Sequence, residues 1–185
     1  MAGKTSTLFY LKEYFKDRVL IVPEVPTFFE SHFFKSSYFF SPLFNRQVNK
    51  FFCTVQLQLE NIFFKIAKKE SIDLVVCDRS ILDGAAYYSH GFNGFLRLHN
   101  ISISSIHKRY DAVIWMDTLA EHNFEKCVSL RPSIKETRKK IVEISVCNHL
   151  IWRSHPNFFE VRNTNIDYKK DSVVNIIENI MKNSK

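Results

Sequence analysis

The stretch Ala2-Gly3-Lys4-Thr5-Ser6-Thr7, running straight into Leu8-Phe9-Tyr10-Leu11, decides how the chain is read. Gly-Lys-Thr at the opening of a helix is the back half of the phosphate-binding loop G-x-x-x-x-G-K-[ST]. In that loop, backbone N–H groups and the helix N-terminus wrap a polyphosphate. Lys4 would reach the β- and γ-phosphates, and the Thr5 hydroxyl would ligate Mg2+. The pattern's first glycine falls ahead of Met1, and so does the strand that normally feeds the loop.

Leu8, Leu11 and Phe15 continue this opening as a helix from Thr5 to about Lys16. Val19-Leu20-Ile21-Val22, ended by Pro23, reads as a buried strand with Glu24 at its carboxyl end. That edge is where open α/β sheets bind ligands. Val25 to Asn45, rich in Phe and Ser and broken by Pro26 and Pro42, reads as a loop. Val48, Phe52, Val55, Leu59, Phe63 and Ile66 then recur at three- and four-residue spacing, which predicts a long helix over Arg46–Lys69 with that stripe in the core. Glu60 stands one position beyond the stripe.

Leu74-Val75-Val76-Cys77 is a second buried strand, with Asp78-Arg79-Ser80 at its end and a helix over Ile81–Tyr88 carrying Asp83 in its first turn. His90-Gly91-Phe92-Asn93-Gly94 reads as a turn-rich break, and a short helix is expected near Ile103–Arg109. Ala112–Met116 is a third strand, left at Asp117. Thr118–Ser133 shows little periodicity, Ile134–Trp152 reads as a basic helix with Lys135, Arg138, Lys139 and Lys140, Phe158–Val161 as a fourth strand, and Asp171–Met181 as a closing helix. Strands alternating with helices predict one α/β domain over residues 1–185 with a parallel sheet.

Charge and composition narrow the function classes. A net charge of +7 favours an anionic partner: nucleotide phosphates, an acidic membrane surface or nucleic acid. No recognised nucleic-acid motif accompanies it, which argues against specific nucleic-acid binding. No apolar run approaches the roughly 20 residues of a membrane span. Cys53, Cys77, Cys127 and Cys147 form no C-x-x-C pair, which argues against a zinc site and fits a reducing, cytoplasmic setting. His90, His107, His122, His149 and His155 show no metal-ligand spacing and read as structural.

Parallel strands would bring Lys4 and Thr5, Glu24, and Asp78-Arg79 with Asp83 to one sheet edge. Phosphoryl chemistry uses a cation, a hydroxyl and carboxylate around Mg2+, and an arginine for the acceptor or transferred group. The local alternative is an Asp78–Arg79 ion pair with no chemistry. Arg131 and the basic helix read as a lid over nucleotide phosphates or, more plainly, as a solvated face.

At Asp78 the pattern resembles a family. Val22-Pro23-Glu24-Val25-Pro26-Thr27, Gln58-Leu59-Glu60, Cys77 to Tyr87, Tyr110 to Ile114, Trp152 to Asn157 and Val161-Arg162-Asn163 follow one another as they do in the AAA-type P-loop domain of the NadR nicotinamide-riboside kinases and the eukaryotic TRPL-translocation-defect proteins. The likeness is greater to the eukaryotic branch, through Val-Pro-Glu and Cys-Asp-Arg. It implies a kinase-like three-layer P-loop NTPase fold that binds ATP or GTP with Mg2+, its first, central strand missing here. By motif match Gly3, Lys4 and Thr5 are nucleotide positions, Thr5 and Asp78 the Mg2+ positions, and Glu24, Arg79 and Asp83 the acceptor side, with Lys4, Asp78 and Arg79 catalytic. Ser80 stands where glycine is usual, and the lid's Arg-x-Glu reads Ile134-Lys135-Glu136, leaving Arg131 as its substitute.

Loss of a central strand leaves two half-sheets with unpaired inner edges. Either an in-frame strand ending in Gly-Gly-x-x lies upstream of Met1, or the remaining strands close the gap. In the chain as it stands, Gly3, Lys4 and Thr5 are expected on a frayed terminus. The first functional expectation is thus a P-loop NTPase or kinase-like protein acting on the γ-phosphate. The alternative is a non-catalytic module of the same fold that binds anionic lipid or a protein partner through its basic surface.

Overall fold

The computed structural model describes residues 3–26, 29, 42–130, 137–162 and 165–183. Most of the expected aromatic loop, together with Arg131, Ile134-Lys135-Glu136 and Asn163-Thr164, lies outside the described residues. The chain divides into two compact units, residues 14–103 and residues 1–13 with 104–185.

In the first unit, β1 (Val19–Val22) and β2 (Leu74–Cys77) pair in parallel, with Val19 opposite Leu74 and Val22 opposite Cys77. A parallel pair needs a long crossover, and α2 (Pro42–Lys69) supplies it. That helix ends where Ser71 takes a positive φ of 54° and Ile72 N–H donates back to the Ala67 carbonyl, a closure usually built on glycine.

The helix exists as expected, and its stripe is partly inward: Val48 is 6% exposed, Phe52, Val55, Leu59 and Phe63 are half-buried, and Ile66 is 42% exposed. The most buried line runs beside the stripe, through Cys53, Gln56, Glu60 and Ala67, each 6% exposed or less. The physical reason is polar: Gln56 Nε2 donates to the Arg79 carbonyl at 3.1 Å and to Glu60 Oε1 at 3.2 Å. Buried amides must find partners, and here the partners lie inward. Burial, with Glu60 nearby as a second cause, pushes the Cys53 thiol up to about 11.

Beyond β2 the chain forms a 3₁₀ helix (Ile81–Tyr87) rather than an α-helix, then α3 (Gly91–His99). The expected break at 90–94 is therefore helical. Its two glycines masked an apolar face whose centre, Phe95, is 1% exposed. The Phe95 ring lies so close to Gly84 that a Cβ there would meet it at 3.2 Å. Asn100, at φ 51°, closes α3 in the left-handed conformation that Asn tolerates.

In the second unit, β3 (Val113–Met116) and β4 (Phe158–Val161) also pair in parallel, Val113 opposite Phe158. The rest is helical: α1 (Lys4–Phe15, whose last two residues belong to the other unit), α4 (Ile103–His107), α5 (Leu119–His122), α6 (Phe124–Leu130), α7 (Arg138–Trp152) and α8 (Ile166–Asn183). The aperiodic stretch after Thr118 thus holds two short helices, the first capped by the Thr118 hydroxyl. Among the described residues α7 begins at Arg138, capped by the Thr137 hydroxyl.

Mixed α/β architecture with parallel pairing agrees with the sequence. The single expected sheet does not form among the described residues, nor do the remaining strands close the gap. The four strands make two separate two-stranded sheets, β1-β2 and β3-β4. No helix among the described residues is long and apolar enough to cross a membrane, and all four cysteines are free thiols.

His155 ties the second unit together as a neutral ring. Its Nε2–H serves the His107 and Tyr110 carbonyls at 3.2 and 3.0 Å, and its Nδ1 accepts from Asn157 N–H at 3.1 Å, which assigns the tautomer. On β4, Glu160 accepts from His149 at 2.7 Å and from Arg162 at 2.7 Å. Those bonds, His149's first, hold the Glu160 carboxyl below its ordinary 4.5. A carboxylate with a depressed folded pKa stabilises above its unfolded value and loses that contribution as pH falls through the folded one. Glu160→Gln is expected to flatten the acid limb of the stability–pH curve below about pH 4.5, and parallel limbs would contradict it. In the first unit, Phe95→Ala is expected to cost about 3–5 kcal/mol in urea unfolding, because Gly84 offers no side chain to refill the hole.

Candidate functional site

The N-terminal half of the expected site lies in the second unit. Thr7 N–H donates to the Gly3 carbonyl at 2.9 Å, which closes the first turn of the helix back to Gly3. Gly3 has a φ of +78°, a conformation that glycine adopts without penalty. A Cβ there would also run into the Ile166 side chain at the start of α8. The positive φ is what favours glycine at position 3. Lys4 is half-buried and Thr5 exposed in the first turn of α1, which carries no acidic side chain. Thr7 is 3% exposed, and its hydroxyl has no hydrogen-bond partner among the described residues.

The other expected residues lie in the first unit at the carboxyl ends of β1 and β2. The Asp78 N–H continues the ladder, donating to the Val22 carbonyl at 3.1 Å. This carries Arg79 over to Glu24: the guanidinium Nε stands 2.6 Å from Glu24 Oε1, with both side chains 20% exposed. The contact is one of charge at short range, not an aligned Nε–H hydrogen bond. Burial works against the charge on Arg79, but Tyr87, Glu24 and Asp83 outweigh it and hold its pKa above the ordinary arginine value. Arg79 pairs with Glu24 across the sheet edge, and the local Asp78–Arg79 alternative is not the pairing seen.

Asp83 has a structural duty as well. Ser80 and Asp83 form a capping box on the 3₁₀ helix. The Ser80 hydroxyl accepts from Leu82 N–H at 3.2 Å, and Asp83 Oδ2 accepts from Ser80 N–H at 3.4 Å. The serine found where the family has glycine is the cap.

Three of the expected acceptor-side residues, Glu24, Arg79 and Asp83, are thus one cluster, and Asp78 adjoins it. Gly3, Lys4 and Thr5 belong to the other unit, and Arg131 is outside the described residues. Gln56 and Tyr87 were not singled out from the sequence. Gln56 was legible only through what it touches. Tyr87 stands at the end of the Cys77–Tyr87 motif, and its effect on the Arg79 charge was not legible there.

A second polar constellation went unread. Asp117, at the carboxyl end of β3 and 2% exposed, is paired with Lys169 of α8, 4% exposed. Lys169 Nζ also donates to the Asp117 carbonyl at 2.8 Å, while Asp117 Oδ2 meets His122 Nε2 at 2.7 Å. Its place at a strand end was a signal for Asp117. No pattern marked Lys169, one lysine among several on a helix. The pair welds α8 to β3 and leaves Asp117 no oxygen uncommitted.

Among the described residues no group of three or more His, Cys, Asp or Glu is arranged around a metal ion. Mg2+ usually takes only one or two protein oxygens beside water and phosphate. Of the two expected Mg2+ positions, Thr5 lies in the second unit and Asp78 in the first. No protein-family model matches the chain, and no characterised protein matches its sequence significantly. The resemblance rests on its motifs.

Breaking the Glu24–Arg79 pair tests whether it organises the edge. Glu24→Gln or Arg79→Met alone is expected to cost about 1–3 kcal/mol in urea unfolding, the range for a buried polar group left without its partner. The double variant should cost less than the sum. Strict additivity would mean that the two side chains do not interact in solution.

Proposed function

We propose that the chain is a nucleotide-binding protein of the P-loop kind, taking the phosphates of ATP or GTP at the N-terminus of α1. One observation carries the reading: Gly3 at φ +78° stands directly before a helix whose first turn is Lys4-Thr5. A positive-φ residue followed by helical ones turns successive N–H groups to one side, the concave nest that holds phosphate. The first-turn N–H groups supply donors, the helix dipole favours an anion, and Lys4 contributes a full positive charge.

The Thr5 hydroxyl is the oxygen this turn offers to the Mg2+ of a bound nucleotide, which would screen charge on the transferring phosphoryl. The motif match makes Glu24 and Arg79 acceptor-side residues, and the reaction that the resemblance implies is transfer or hydrolysis of the γ-phosphoryl.

The half-loop alone is weak. An exposed helix N-terminus contributes roughly 0.3–1 kcal/mol toward an anion, against the roughly 8 kcal/mol of a micromolar complex. Calorimetry with Mg-ATP and Mg-GTP is expected to show little or no binding by residues 1–185, and little change in Lys4→Ala. A chain carrying a strand and the first loop glycine ahead of Gly3 is expected to bind, and Lys4→Ala should abolish that binding. No heat from the extended chain would remove the reading. Tight Mg2+-dependent binding by residues 1–185, lost in Lys4→Ala, would show that the half-loop suffices.

A further inference from the structure

We draw no further inference here: the strongest candidate, the exposed apolar face that Ile62 and Ile66 form near the C-terminal end of α2, carries none because nothing among the described residues shows what covers it.

Discussion

One buried amide sets the geometry of the first unit. Gln56 spans from α2 to the backbone of Arg79 and, along its own helix, to Glu60. An unpaired amide in the interior costs on the order of 1–3 kcal/mol, so the helix turns to bring Gln56 inward and carries the rest of its surface with it. The carbonyl that Gln56 holds belongs to the residue whose guanidinium meets Glu24. A polar contact therefore ties α2 to the edge that carries the Glu24–Arg79 pair.

The second unit has a different anchor. Asp117 and Lys169 are buried together, and each satisfies a charge that the interior would otherwise expel. Such pairs add little net stability but penalise any arrangement that separates them. Here the pair commits the start of α8 to the end of β3. Ile166 is thereby set beside Gly3, where the end of its side chain would have to shift for any larger residue.

Legibility followed the range of the interaction. The four strands were readable because each is a short apolar run stopped by Pro23, Asp78, Asp117 or Arg162. Glu24, Asp78 and Arg79 were readable as neighbours because strand ends in a parallel sheet share an edge. The rotation of α2 was not, since the apolar count of its stripe outweighs Gln56 and Glu60 until the Arg79 carbonyl is known to be there. Gly91 and Gly94 read as punctuation, yet Phe95 organises a helix around them. Ser80 looked like a departure from a motif and is a cap with the spacing Ser-x-x-Asp. Lys169 could not be told from its exposed neighbours, because burial of a lysine depends on a carboxylate about fifty positions away in the chain.

The two small parallel sheets also fix the order in which the chain can assemble. Val19 meets Leu74, and Val113 meets Phe158, so each ladder closes across about fifty residues and yields only a few strand bonds in return. The entropy of closing such a loop must be met before those bonds form. A helix inside the loop shortens the effective distance. In the first unit α2 fills most of the interval between the strands, and in the second α5, α6 and α7 do the same. During synthesis from the N-terminus, Val19–Val22 is therefore without its pairing strand until Leu74–Cys77 has emerged.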